Sequence, residues 1–248
     1  MKKYQKIQLY ILLISLFTII SNGCIIPSDD DPANCTNTAV FNPSLVYGTM
    51  TDQEGNTYKT ITIGTQTWMA ENLRTTIYRD GSSIPKVTDD KKWVDLVSGA
   101  QCSNKKASDN NTVCTFGILY NWYTVSDNRN IAPEGWHVPT DEEWGELRSI
   151  LGGEAVAGGK MRETGNLHWD KPNGATEASN ASGFTALPSG SRGASNGIYS
   201  NLTNSAHYWS SSQYDASNAW NFSLSTSYDT FRGYSHKNHG YAIRCIKD

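Results

Sequence analysis

Charge is scarce in this chain: Lys, Arg, Asp and Glu make up 18% of its 248 residues, against about a quarter in an average globular domain. With 21 basic and 24 acidic side chains it also lacks a basic excess. That excludes a nucleic-acid binder working by phosphate neutralisation and a strongly charged disordered chain. No apolar stretch reaches the ~20 residues that cross a hydrocarbon layer; the longest, Leu9 to Ile20, has 12. The five cysteines include no Cys-x-x-Cys pair, which removes the usual spacing of a zinc site. What the chain has in quantity is rings, with eight Trp, 13 Tyr and six Phe. Each can bury about 150–250 Å², so a core can form around them where aliphatic residues are few.

Lys2, Lys3 and Lys6 precede the run Leu9 to Ile20, and Ser21-Asn22-Gly23 follows it. This order reads as a secretory signal peptide. Cys24, directly after Gly23, resembles the cysteine of a bacterial lipoprotein lipobox, with Ser21 standing where an aliphatic residue is usual. The resemblance implies that residues 1–23 are removed and that Cys24 carries the lipid and becomes the first mature residue. Removing three lysines leaves 18 basic and 24 acidic residues, a formal charge of −6. Residues 24–45 contain Pro27, Ser28, Asp29, Asp30, Asp31 and Pro32, a breaker-rich polar linker. Acids close behind the lipidated cysteine also resemble the export signal of surface lipoproteins in Bacteroidota. The expected location is therefore the cell envelope, lipid-anchored, at the outer membrane and on the cell surface.

With Cys24 lipidated, Cys35, Cys102, Cys114 and Cys245 remain. An even number in an exported chain fits two disulfides in any of three connectivities. Cys102 and Cys114 bracket a polar loop, which favours that pair and leaves Cys35 with Cys245 by elimination. The longer bridge contributes roughly 5 kcal/mol in the chain-entropy view.

From Val46 to Met69 the pattern is that of strands in an antiparallel meander. Two β-rich runs face each other across Asp52-Gln53-Glu54-Gly55-Asn56, and Ile61 and Ile63 share one face. One helix is written clearly, from Thr140 to Leu151. Thr140-Asp141-Glu142-Glu143 is a capping box, Trp144, Leu147 and Leu151 form an apolar stripe, and Gly152-Gly153 ends it. Beyond Gly158 the chain is rich in Gly, Ser and Asn. The recurrence of Trp169, Phe184, Tyr208, Trp209, Trp220, Phe222 and Phe231 argues for long loops pinned by buried rings, because disordered segments are poor in aromatics.

Several ordered segments resemble the Fibrobacter succinogenes major paralogous domain family: Trp68-Met69-Ala70-Glu71-Asn72-Leu73-Arg74, Tyr120-Asn121-Trp122-Tyr123, Gly135-Trp136-His137-Val138-Pro139-Thr140, Ser182-Gly183-Phe184, Leu187-Pro188-Ser189-Gly190, Tyr208-Trp209-Ser210-Ser211 and Ile243-Arg244-Cys245. The resemblance covers residues 46–248. The phrase at the start of the helix and the late Trp-Ser-Ser are also similar to the formylglycine-generating (sulfatase-modifying) enzymes. Together they imply an α+β domain with a loop-rich C-type lectin-like fold, antiparallel sheets and neighbouring terminal strands, an arrangement that suits a Cys35–Cys245 bridge.

Chemistry is sparse beside this. Formylglycine generation needs a late cysteine pair that holds copper as thiolates, and Cys245 is the only cysteine after Cys114. The carboxylate–amide runs of a Ca²⁺-dependent lectin, Glu-Pro-Asn or Gln-Pro-Asp with Trp-Asn-Asp, are absent. His236 and His239 fall in a glycine-flanked loop, and His137, His168 and His207 each neighbour Trp or Tyr and read as core or supporting residues. Gly193-Ala194-Ser195-Asn196-Gly197 matches a hydrolase elbow in letters, without the strand–turn–helix setting that exposes the serine. No catalytic residue, metal or cofactor is assigned. The expectation is a non-enzymatic surface lipoprotein that binds an extracellular glycan or protein through Trp209, Tyr214, Asp215, Trp220, Tyr228 and Arg232, using ring faces flanked by hydrogen-bonding groups. A degenerate enzyme of the formylglycine-generating type and a structural envelope component are the competing readings.

Overall fold

The computed structural model describes residues 36–104 and 110–248. Twelve strands appear among them: β1 Gly48–Thr51, β2 Thr57–Ile63, β3 Gln66–Met69, β4 Gln101–Cys102, β5 Leu119–Tyr120, β6 Trp136–His137, β7 Ser189–Arg192, β8 Tyr199–Leu202, β9 Ser205–Gln213, β10 Asn218–Ser225, β11 Phe231–His236 and β12 Ile246–Lys247. The helices are α1 Asp90–Val94, α2 Asn110–Phe116, α3 Trp122–Val125, α4 Asp141–Ile150 and α5 Ala157–Met161. The domain is thus mostly β, and α4 is its one helix of any length. None of the described helices is long and apolar enough to cross a membrane.

The first sheet has the order β1-β2-β3-β12-β6. Its meander forms where the turn residues place it. The Asp52 carboxylate accepts the N–H groups of Glu54 and Asn56 and the Tyr58 hydroxyl at 2.6 Å, while Gly55 takes φ 89°, which a side chain disfavours. The chain's end returns to its beginning: Ile246 pairs with Trp68 of β3 and with His137 of β6. The second sheet, β11-β10-β9-β7-β8, is antiparallel except between β7 and β9, where Gly190 lies opposite Ala206.

α4 begins as its capping box dictates, with the Thr140 hydroxyl accepting the Glu143 N–H and the Glu143 carboxylate accepting the Thr140 N–H. The helix buries Trp144 between the two sheets. That indole stacks on Phe222 of β10 with centroids 4.7 Å apart and an interplanar angle of 6°, and meets Trp68 of β3 at 4.7 Å. Phe184 and Tyr208 close the cluster. A second core is built from Tyr58, Tyr120, Trp122, Trp209 and Tyr241. Of the rings expected to pin loops, Trp169 and Phe184 do so, buried outside the strands; Tyr208, Trp209 and Phe222 are buried on β9 and β10, Trp220 on β10 is half-buried and Phe231 on β11 is exposed.

Guanidinium groups fix the loops as well. Arg192 donates to the carbonyls of Val87, Thr88, Asp89 and Gly197. Arg162 donates to Ser225 and Thr176, and Arg244 to Phe184 and Thr185. All three side chains are fully buried. Apart from Ser225 at the end of β10 and Asp89, whose carbonyl also accepts the Trp93 N–H, the carbonyls they satisfy lie in loops outside the ladders.

The cysteines depart from expectation. Cys102 and Cys245 are free, buried thiols, so neither the Cys102–Cys114 bridge nor the Cys35–Cys245 bridge forms. Cys102 sits in β4, paired opposite Leu119 of β5, and Cys245 is enclosed beside Met69, whose sulfur accepts the Cys245 N–H. Cys114 lies in α2 beside Thr115, which accepts the Thr38 N–H. Cys24 and Cys35 lie outside the described residues, as do residues 1–23, expected as a signal peptide, and most of the expected linker.

Candidate functional site

Strand β11 ends the second sheet, and its register with β10 sets Tyr234 opposite Trp220 and Arg232 opposite Phe222. Side chains two apart on a strand share a face, so Trp220, Arg232 and Tyr234 lie on the side where Phe222 packs under α4. Where the helix begins, the buried Trp144–Phe222 stack gives way to a surface cluster. Tyr214 and Tyr234 stack at 4.0 Å with an interplanar angle of 3°, and Trp220 meets both edge-on at 4.9 and 6.1 Å. Tyr214 is 45% exposed and Tyr234 54%.

Arg232 joins this cluster to the helix. Its guanidinium lies 3.6 Å from the Trp220 ring centroid, and its Nε donates to both Asp141 oxygens at 2.8 and 2.9 Å. The Asp141 carboxylate raises the Arg232 pKa above its ordinary value, burial opposing. Asp141 opens α4, where a negative charge also meets the helix dipole favourably. Arg232 is thereby held between a ring and a carboxylate.

The other expected site residues divide. Trp209 is core, since it is fully buried, donates its indole N–H to the Tyr120 carbonyl at 2.8 Å and packs on Tyr241 at 4.6 Å. A ring enclosed on this scale offers no platform, which corrects its assignment as a ligand contact. Asp215 builds the β9–β10 turn, accepting the N–H groups of Ser217 and Asn218 at 2.8 Å. The Asn218 amide, then these backbone bonds, hold its carboxyl below the usual range. Tyr228 pairs with Phe231 on the opposite face and bonds Ser223 through its hydroxyl at 3.2 Å.

The six expected residues thus reduce to Tyr214, Trp220 and Arg232 as one face, and Tyr234 completes it. Tyr234 carried no local signal beyond its place two residues after Arg232 in a β-like run. Its ring partner is 20 residues upstream and becomes a neighbour only through strand pairing.

No group of three or more His, Cys, Asp or Glu among the described residues is placed to hold a metal ion. His236 Nδ1 accepts the Asn238 N–H, and His239 stacks on Tyr241. The Gly193–Gly197 segment is the turn between β7 and β8, closed by Gly193 N–H to Ile198 and Gly197 N–H to Gly193. No helix follows Ser195, so the serine is not raised on an elbow.

The family model of the Fibrobacter succinogenes major domain (Fib_succ_major) matches residues 61–247. No curated protein and no solved structure matches the chain.

Proposed function

Taking as premise that the chain belongs to the Fibrobacter succinogenes major domain family, we propose that it is a lipid-anchored envelope protein whose C-type lectin-like domain recognises an extracellular glycan through a non-catalytic aromatic face. The reading rests on one observation, the exposed Tyr214–Trp220–Tyr234 cluster with Arg232 locked beside it. Leaving a large ring at the surface forgoes about 1.5–3 kcal/mol of burial, in a protein that buries most of its other rings. Sugars present an apolar C–H face ringed by hydroxyls, which suits aromatic surface bordered by fixed polar groups. Arg232 and Asp141 supply a donor and an acceptor at its margin, at low ordering cost because each holds the other. The signal peptide and lipobox-like Cys24 favour a position where such ligands occur.

Glycan-array and pull-down measurements on the intact protein test this. Tyr214→Ala, Tyr234→Ala and Arg232→Ala should each weaken glycan binding about tenfold or more, while Tyr228→Ala on the opposite face leaves it unchanged. A captured protein whose binding falls with the same three substitutions would make the ligand a protein. Absence of any ligand sensitive to them ends the binding reading.

A further inference from the structure

The first described residues lie along a seam of the domain. Phe41, Leu45 and Tyr47 pack on the Trp68–Trp144 core, the Val40 N–H donates to Glu163 Oε1, and Thr38 meets Thr115. On this seam three side chains far apart in sequence form a row. Glu163 Oε2 lies 2.7 Å from His168 Nδ1, and His168 Nε2 lies 2.9 Å from Thr38 Oγ1. The Glu163 side chain is fully buried and the imidazole nearly so, whereas Thr38 is exposed. Phe116 meets the imidazole edge-on at 5.3 Å and 90°.

With the His168 imidazole neutral, the hydrogen bonds assign a direction to every proton in the row. A carboxylate accepts, so the His168 proton sits on Nδ1 and points to Glu163. Nε2 is then the acceptor, and the Thr38 hydroxyl donates to it. The Thr38 oxygen in turn lies 2.9 Å from Thr115 Oγ1, which itself accepts the Thr38 N–H at 3.1 Å; the Thr115 hydroxyl is left to donate into the Thr38 oxygen. A buried acid on Nδ1, an imidazole whose other nitrogen meets a hydroxyl, and that hydroxyl on an exposed residue supply the acid, base and nucleophile of acyl transfer, in the required order. A clip for the N-terminal segment would need only one of these bonds.

We propose that Thr38, His168 and Glu163 form a site that hydrolyses carboxylic esters by acyl transfer, separate from the aromatic face. Thr38 Oγ1 attacks the ester carbonyl carbon and passes its proton to His168 Nε2, while Glu163 compensates the imidazolium charge through Nδ1. The bond from carbonyl carbon to leaving oxygen breaks, and Nε2 protonates that oxygen, releasing an alcohol. Water then attacks the Thr38 ester, gives one proton to Nε2, and the acid leaves as Thr38 recovers its proton. The net reaction is ester plus water to acid plus alcohol. Because Thr38 is an exposed residue, the substrate class is a solvent-accessible ester, with the acyl carbon presented to Thr38.

The test treats the full-length protein with a fluorophosphonate probe, maps the adduct by peptide mass spectrometry, and measures p-nitrophenyl acetate hydrolysis in parallel. The expected result is an adduct on Thr38. Thr38→Ser should keep labelling and turnover, whereas Thr38→Val and His168→Gln should lose turnover by about 100-fold or more. Retention in the serine variant separates nucleophile from clip, since a clip does not acquire a phosphonate. Mapping on the unaltered protein is decisive even if a variant fails to fold. An adduct only at another residue, no adduct and no turnover, or unchanged turnover in folded Thr38→Val would each overturn the proposal.

Discussion

Replacing Arg244 with Met should destabilise the domain by about 3–5 kcal/mol, a large share of the ~5–15 kcal/mol that holds a typical protein folded. Arg244 is fully buried. Its Nε donates to Asn72 Oδ1 at 2.8 Å, its Nη2 to the Thr185 carbonyl at 2.8 Å, and its Nη1 to the Phe184 carbonyl. The guanidinium lies 4.3 Å from the Phe184 ring centroid and 5.5 Å from that of Tyr208. Burial lowers its pKa from the ordinary guanidinium value, with Tyr208 and Glu71 opposing. Methionine fills much of the volume and removes the buried charge, but leaves three enclosed oxygens without a donor at about 1–3 kcal/mol each. Relief of charge burial returns part of that sum, which gives the stated net.

The loop that Arg244 grips adds to the loss. Thr185 has φ 52°, a conformation that disfavours a β-branched residue. It persists because Arg244 holds its carbonyl while Asn180 accepts its N–H and donates to its hydroxyl. Urea unfolding followed by tryptophan fluorescence would read the change. At a slope of about 2 kcal/mol/M, a 4 kcal/mol loss moves the midpoint by about 2 M. Arg244→Lys keeps the charge without the planar fork and should lose at least as much as Arg244→Met. A methionine variant within 1 kcal/mol of the parent would refute the assignment of Arg244 as the donor that organises this loop.

The cysteines and two histidines give further outcomes. With Cys102 and Cys245 free and Thr38 bonded to Thr115, a non-reducing peptide map should return Cys114 joined to Cys35, with Cys24 acylated; a bridge through Cys102 or Cys245 would contradict it. Those two thiols, both raised in pKa by burial, should resist alkylation until the protein unfolds. At His137, burial works to lower the pKa, but the bonds to Asp248 and Glu143 prevail and raise it. Its stabilisation is therefore full below the unfolded pKa and lost as pH rises through the folded one, so His137→Gln should flatten the alkaline side of a stability–pH curve. His207 is opposite: burial and then His239 depress it to about 4. Its contribution is present above the unfolded pKa and lost as pH falls through about 4, of order 3 kcal/mol, and His207→Phe should flatten the acid side.

What could be read from the sequence was whatever neighbouring residues decide among themselves. The capping box at Thr140 and the turn at Asp52–Asn56 each need only a few consecutive residues, and both formed as expected. Trp209 and Trp220 show the limit. Both lie in polar, aromatic surroundings, yet one is core and the other reaches the surface. Their placement follows from the β9–β10 register, which shifts between Ala219 and Asn221, and no local pattern encodes that shift. The cysteine pairing failed for a related reason. Cys102 and Cys114 are near in sequence, but β4 commits Cys102 to Leu119, and strand pairing prevailed over loop proximity. The Thr38–His168 contact joins residues 130 apart, beyond any motif.

The low charge of the chain gains a different meaning in the fold. Read along the sequence, arginine suggests surface; here Arg162, Arg192 and Arg244 are among the most deeply enclosed side chains. Long loops carry carbonyls that no strand ladder pairs, and each must find a donor or cost about 1–3 kcal/mol. A guanidinium offers five N–H groups in one plane, so one side chain can serve several carbonyls that converge from separate segments. Arg192 does so for Val87, Thr88, Asp89 and Gly197. Arginine thus works in these loops as backbone pairing works in a sheet, and the rings packed against it, Trp93 and Tyr199 on Arg192 and Phe184 on Arg244, exclude the water that would compete for the carbonyls. A domain held in this way can leave its surface rings free for a ligand, because rigidity in its irregular half does not depend on burying them.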